Sequence, residues 1–359
     1  RDRTIPVVAA IARRLWGKQA ALVAAFVLAF SPFAISFAPT AFVDSVLVLL
    51  GCLALYFAID HRPLAAGLFL GAAIMTKQQG MLYLPLVIMS LIAVPSYEIA
   101  IQSSDNQQPH VGRFLHRLAI SMIGLSLLVL PIMFWDSRRW AVAPSPWDLS
   151  VRNYAALTLL APASWQTRLS EWQSLLWHLT ASNIIWMVIL ALVSLVAIVG
   201  IGRKHGEYLI TSRLADRQIY LMAILASWSI GFLLFHVITS VQIWDRYLLP
   251  LAPMVALFFG WSVARVGPLV RHAAQTTGRA FLGSDSWRAS RRRQQAINTT
   301  MIFALSVLLA LPAWQAATGR LPIGGDHGAY DGFDHTVDWI EIEEAKGEEV
   351  VIYHNVLGW

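Results

Sequence analysis

Four charged residues interrupt otherwise apolar stretches of this chain: Asp44, Lys77, Asp245 and Arg246, the last followed by Tyr247. Lysine supplies a point charge and arginine can bind two phosphate oxygens at once, so two neighbouring cations suit a phosphate on which negative charge develops. A carboxylate can orient an acceptor hydroxyl, take its proton or hold a divalent metal ion. We therefore predict that Lys77, Arg246 and Tyr247 bind a phosphate. Asp44 is predicted to be catalytic, with metal binding as an alternative role.

Each of these charges also has a structural interpretation. Asp44 with Lys77, or Asp245 with Arg246, would form ion pairs that only hold helices together. Some residues are weaker candidates for contact with substrate, because an ion pair (for Asp245) or anchoring at a membrane interface (for the others) is the more ordinary explanation. These weaker candidates are Asp245, Arg138, Arg139 and Trp172.

The elements that must position these residues are long and apolar. Of 359 residues, 57% are hydrophobic and 13% are charged, whereas a soluble domain has about 25% charged residues. Many apolar runs approach the roughly 20 residues with which a helix crosses a bilayer. We therefore predict an all-α, multi-pass protein of the cytoplasmic (plasma) membrane. Its helical bundle is predicted to have about nine spans, at 19–38, 42–59, 64–76, 79–95, 118–135, 183–202, 219–240, 247–264 and 298–317.

Lysine and arginine predict which ends of the spans face the cytoplasm, because these residues accumulate in cytoplasmic loops. If the N-terminus is cytoplasmic and the C-terminus extracytoplasmic, most of the 27 lysines and arginines fall inside, including the cluster at 288–293. Span 64–76 is too short to cross alone, and we interpret it as half of a broken hairpin with Lys77 at its tip. This orientation brings all four charged candidates to the same extracytoplasmic face.

The segments outside the spans have distinct predicted roles. The long outer loop, 136–182, is predicted to hold an interfacial helix at 164–179, because its apolar residues recur at spacings of three and four. Residues 265–297 are predicted to be a cytoplasmic linker that contacts anionic lipid. Residues 1–318 would then form the membrane domain. The acidic tail, 319–359, would be the truncated start of an outer α/β domain, with a helix at 334–345 and a strand at 350–353.

Composition also disfavours some functional classes. The net charge of +6 would suit nucleic acid, but the basic residues lie between apolar runs and form no single face. A transporter or flippase of a lipid-linked or anionic solute is a second hypothesis, because it would use the same cations. A non-catalytic membrane scaffold is a third. Charges that cluster at one face, without an internal repeat, favour an enzyme over a transporter.

Four sequence pieces stand in register along the chain: ARRLWG at 12–17, Ser31-Pro32 followed by Asp44, AGLFLGAA at 66–73 followed by Lys77, and DRYLLP at 245–250. Each piece alone is weak, but together they cover most of the chain in order and spacing. They resemble the dolichyl-phosphate-mannose–protein mannosyltransferase-like group, glycosyltransferase family 39, which has the GT-C membrane fold.

The resemblance implies transfer of a hexose, mannose-like, from a polyprenyl-phosphate donor to a protein, lipid or glycan acceptor outside the cytoplasm, usually with inversion. It implies that Asp44 lies at the donor site, where some members hold a divalent metal, and that Arg246 lies near the donor phosphate. The principal acidic motif of the family follows its first span, and this sequence begins beyond that point. We therefore expect that the chain is a fragment that lacks the catalytic base.

Overall fold

The computed structural model describes residues 3–39, 43–102, 110–145, 148–149, 157–179, 199–204, 207–212, 217–264, 306–307, 309–324 and 333–347. Helices dominate this part of the chain. The first five are α1 (Thr4–Trp16), α2 (Lys18–Ala29), α3 (Pro32–Phe37), α4 (Asp44–Ile59) and α5 (Pro63–Thr76). A short 3-10 helix (Gln78–Leu82) leads into α6 (Tyr83–Gln102), α7 (His110–Arg139) and α8 (Pro162–Leu179). Then come the antiparallel strands β1 (Val199–Lys204) and β2 (Glu207–Ser212), α9 (Arg217–Ile238), the 3-10 turn Asp245–Leu248, α10 (251–264), α11 (309–317) and α12 (Phe333–Ala345).

Three helical segments in the described part of the chain are long and apolar enough to cross a membrane: Gly112–Arg139, Leu221–Ile238 and Asp245–Ala264. Four shorter apolar helices pack beside them, at Lys18–Ala29, Asp44–Ile59, Pro63–Thr76 and Gln78–Ile92. A multi-pass helical bundle is therefore confirmed. The linker 265–297, the strand at 350–353 and most of the span predicted at 183–202 lie outside the described residues. The last four residues of that span belong to β1, so the helix prediction was wrong there.

The N-terminal segment differs from the prediction. The first predicted span begins at residue 19, but α1 already pairs with α2 in an antiparallel hairpin whose turn is Gly17, at φ +93°. Thr4 lines one cavity with Leu28, Ser45 and Leu249, while Arg14 forms an ion pair with Asp60 at the far end of α4, 3.4 Å away. The start of α1 therefore lies at the end of the bundle that carries the start of α4. Arg3 and Arg14 therefore lie toward opposite ends of the bundle, because a 13-residue helix is about 20 Å long.

Glycine allows α5 and α7 to pack side by side in the same direction. A Cβ atom at Gly67 would overlap the carbonyl oxygen of Ser121, and one at Gly124 would overlap that of Leu64. Gly71 faces Leu125 of α7 at 3.0 Å from the position of such a Cβ atom. Close backbone approach at small residues is typical of helix pairs in membranes. The 66–73 piece that carried the family resemblance is thus, in physical terms, a helix-packing face.

Candidate functional site

Asp44 and Lys77 form an ion pair at the end of the bundle that also holds α3 and the Asp245–Leu248 turn. The Lys77 ammonium donates to Asp44 Oδ1 at 2.6 Å, with the carboxylate side chain 4% exposed and the lysine 22% exposed. Asp44 lies in the first turn of α4, where the helix dipole favours an anion. Lys77 has an extended backbone between α5 and the 3-10 helix. Because the helix is interrupted there, the Lys77 side chain reaches Asp44 on α4.

Two further predicted residues join this pair from the other half of the chain. The Lys77 ammonium lies 4.6 Å from the ring centroid of Tyr247, and the Arg246 guanidinium lies 5.8 Å from the same ring. Arg246 also stacks on Trp244, at 3.9 Å. The 3-10 turn Asp245–Leu248 presents Arg246 and Tyr247 together, and Tyr247 is buried. The structure therefore brings Asp44, Lys77, Arg246 and Tyr247 into one cluster, which we call the cationic cluster.

Burial and charge act in opposite directions on Lys77. Its pKa is lowered from the ordinary value of 10.5, first because burial disfavours the ammonium ion. Asp44 opposes this effect through its charge and hydrogen bond, while the positive charge of Arg246 lowers the pKa of Lys77 further. Two cations held this close together repel each other, and a bound dianion would relieve that repulsion.

Asp245 has a different environment from the one expected of a substrate contact. One of its carboxylate oxygens accepts a hydrogen bond from the backbone N–H of Arg246, and the other accepts one from the N–H of Gly324, both at 2.7 Å. The carboxylate therefore joins the 3-10 turn to a segment 79 residues away. Its predicted contact with substrate stays a prediction.

Helix α8 contacts α3 and the Asp245–Leu248 turn at this end of the bundle. Two of its residues also form hydrogen bonds with the C-terminal end of α9. Arg168 donates to the carbonyls of His236, Val237 and Val241, and Trp172 Nε1 donates to the His236 carbonyl at 3.2 Å. The bonds to His236 and Val237 satisfy carbonyls that the C-terminus of α9 leaves without intrahelical partners, and the bond to Val241 reaches the loop that follows α9. Trp172 is fully buried, so the structure places this candidate inside the packing rather than on an open face.

The bonding of Arg168 to backbone carbonyls at the end of α9 was not predicted. The spacing of apolar residues in 164–179 put Arg168 on a polar face, and no local pattern shows that this face meets the end of another helix. His236 is buried and hydrogen-bonded: its side chain is 0% exposed and its Nδ1 lies 2.8 Å from the Phe232 carbonyl. Its ring lies 6.1 Å from that of Tyr247. The residue whose carbonyl accepts bonds from α8 therefore also lies next to the cationic cluster.

Two predicted residues lie apart from the cluster. Arg138 and Arg139 end α7 and are exposed, and Arg138 lies over Phe134 of the same helix, 5.3 Å from its ring. No contact within the described ranges joins either arginine to Asp44 or Lys77. Their predicted substrate contact stays a prediction.

The described residues do not assemble a metal site around Asp44. No group of three or more histidine, cysteine, aspartate or glutamate side chains converges in this part of the chain. The Asp44 carboxylate is instead engaged by an ammonium ion at 2.6 Å. Metal binding at Asp44 therefore stays a prediction.

Comparison with known proteins places this geometry in context. Residues 4–135 match the family model described as dolichyl-phosphate-mannose-protein mannosyltransferase. No curated protein matches the sequence.

Two solved structures match the chain. ArnT from Cupriavidus metallidurans, crystallised with undecaprenyl phosphate bound, matches with a TM-score of 0.50 and 17% identity over 88% of this chain and 58% of ArnT. The chain thus spans less than two thirds of ArnT. The oligosaccharyltransferase of Archaeoglobus fulgidus in its apo form matches with a TM-score of 0.40 and 14% identity, over 88% of this chain and 43% of the other. The chain is therefore a multi-pass helical membrane protein that shares the fold of ArnT and is similar, over residues 4–135, to the mannosyltransferase family.

Proposed function

We propose that this chain is the membrane part of a glycosyltransferase that moves a hexose from a polyprenyl-phosphate donor to an acceptor hydroxyl at the extracytoplasmic face. The observation that carries the proposal is the cationic cluster: a partly buried lysine held by Asp44, with an arginine and a tyrosine beside it. Similarity of fold to ArnT, a protein crystallised with undecaprenyl phosphate, supports the choice of a lipid phosphate as the ligand.

The proposed division of labour follows from charge. As the bond between the sugar and the phosphate breaks, negative charge accumulates on the leaving phosphate. Lys77 and Arg246 would stabilise that charge, since cations that are fixed in advance need no reorganisation during the reaction. Arg246 is suited to bind two phosphate oxygens, and its stacking on Trp244 limits its orientation.

Asp44 has two proposed tasks. It holds the Lys77 ammonium in place. It is also our candidate for the base that takes the proton of the acceptor hydroxyl, once the phosphate has replaced Asp44 as a partner of the Lys77 ammonium. Attack by that hydroxyl from the face opposite the departing phosphate would invert the anomeric carbon.

The test is sugar transfer by the full-length protein in nanodiscs, from a radiolabelled polyprenyl-phosphate hexose. Lys77→Ala and Arg246→Ala are expected to lower the transfer rate by roughly a hundredfold or more, because each removes charge that stabilises the leaving group. Arg62→Ala is the matched control: this exposed arginine pairs with Asp60 at the opposite end of α4, and its removal should leave transfer unchanged.

Two results would contradict the proposal. Normal transfer in both cluster variants would remove the phosphate site. Movement of a fluorescent polyprenyl phosphate across proteoliposomes, with no transfer of sugar by the wild type, would favour the transporter hypothesis.

A further inference from the structure

The segment 321–324 follows α11 and precedes the helix of the outer tail, α12. It is anchored on the bundle: Leu321 and Ile323 are buried, with Ile323 0% exposed. Gly324 is buried as well and closes the segment with a left-handed backbone, at φ +95°. The chain thus touches the site end of the bundle before it continues toward the acidic tail.

Gly324 fits a position that no other residue type would fill. A Cβ atom there would overlap Cβ of Ser36 on α3 and lie 3.0 Å from the Ser36 carbonyl oxygen. Its positive φ is also a conformation that side chains with a Cβ atom rarely adopt. Both the backbone conformation and the available space therefore require glycine.

The same glycine is bonded to the turn that carries Arg246. The Gly324 N–H donates to one oxygen of Asp245, and the other oxygen accepts the N–H of Arg246 itself. Hydrogen bonds from backbone N–H groups to a carboxylate are charge-assisted and directional. A shift of residue 324 would therefore be passed to the backbone of Arg246 through a single rigid carboxylate.

We propose that Asp245 is a positioning residue: it links the 321–324 segment to the Asp245–Leu248 turn, so that the chain leading into the outer tail sets the placement of Arg246 in the cationic cluster. We call this link the tail latch. The proposal rests on the proposed function for the phosphate that Arg246 binds. It gives Asp245 a role other than contact with substrate, and it makes the outer tail a part of the donor site rather than a separate appendage.

The latch itself is tested by backbone hydrogen exchange in the full-length protein, which does not depend on any ligand. Asp245→Ala should speed exchange of the Gly324 amide, and Gly324→Ala should speed exchange across 245–248. Asp245→Asn keeps a carbonyl acceptor and should give an intermediate effect. Gly347→Ala is the matched control, because Gly347 lies in the same tail with φ +79° but has nothing within 4 Å of an added Cβ atom. It should change neither segment.

The positioning role is tested by the affinity for undecaprenyl phosphate, measured beside the thermal unfolding midpoint of each variant. Asp245→Ala and Gly324→Ala should each weaken binding by roughly fivefold or more, with Asp245→Asn closer to wild type and Gly347→Ala equal to it. Unchanged exchange at 245–248 in Gly324→Ala, or unchanged affinity in both variants, would overturn the proposal. If the wild type does not bind the lipid, the proposed function fails, and the positioning of a phosphate ligand fails with it even where exchange shows that the link exists.

Discussion

At the scale of single residues, the pairing of Asp44 with Lys77 has two explanations that predict different behaviour. An ion pair buried to this degree recovers the desolvation cost of its charges only in part, and losing one partner leaves the other charge without compensation. A pair that only locks α4 to α5 would be replaceable by apolar residues of similar size. A pair that serves a phosphate could be replaced by apolar residues only with loss of ligand binding, since the ligand needs the cation.

A double variant separates these explanations. Asp44→Leu and Lys77→Met, made singly, are each expected to lower the free energy of unfolding by about 3–5 kcal/mol, whereas the double variant should recover most of that loss. Unfolding is measured by denaturant titration in detergent, and sugar transfer on the same preparations. Recovered stability without transfer is the expected result. Recovery of both would mean that the pair is only structural.

The lowered pKa of Lys77 gives a second prediction at this scale. Binding of a phosphate lipid needs the ammonium form, so affinity should fall as pH rises through the folded pKa of Lys77, at a lower pH than an ordinary lysine with a pKa of 10.5 would show. Stability should move in the opposite direction. A folded pKa below the unfolded one means that the unfolded chain binds more protons, so the free energy of unfolding rises with pH in that window.

Lys77→Arg is the control for this titration. Arginine stays charged throughout the accessible pH range, so the alkaline loss of lipid affinity should disappear in this variant. A fall of equal size and position in wild type and Lys77→Arg would assign the effect to another group.

At the scale of elements, the glycines of α5 and α7 make a prediction that periodicity alone does not. Gly67→Ala and Gly124→Ala should destabilise the bundle or prevent its folding, because each added methyl group would meet a backbone carbonyl of the partner helix. Gly231→Ala, in α9, is the matched control: nothing lies within 4 Å of its added Cβ atom. It should be neutral or slightly stabilising, since alanine favours helix more than glycine does. Thermal unfolding with circular dichroism measures all three, and equal midpoints would contradict the packing.

Hydropathy was sufficient to predict most helices but not how they end. The predicted spans 42–59, 64–76 and 219–240 agree closely with α4, α5 and α9, because each is a continuous apolar run. The predicted span 19–38 is instead two helices, α2 and α3, with Ser31 extended between them. The proline at position 32 explains the break, because proline favours the first turn of a new helix. The hydrogen bonds from Arg168 to α9 depend on contacts between distant segments, which no local pattern encodes.

At the scale of the whole molecule, the charge asymmetry predicted that Asp44, Lys77 and Arg246 share one end of the bundle, and they do. The same charge count predicted a cytoplasmic N-terminus, whereas the basic residues Arg13 and Arg14 lie at the end of α1 next to the Gly17 turn, away from the start of that helix. The positive-inside rule counts lysine and arginine in loops, so it does not detect a short helix that returns to the other face. The link of Gly324 to Asp245 was equally hidden, because its partners are 79 residues apart.

The corrected arrangement of α1 predicts which side of the membrane each end of the bundle faces. The single native cysteine, Cys52, is fully buried, so it should give little background with a membrane-impermeant maleimide. Cysteine introduced at Arg3 and at Thr318 should react from the same side, expected to be extracytoplasmic, while cysteine at Arg62 should react from the other. All three positions are exposed. If Arg3→Cys reacted together with Arg62→Cys, α1 would not run beside α4 in the same direction, and the cavity lined by Thr4 and Ser45 would not exist in the membrane.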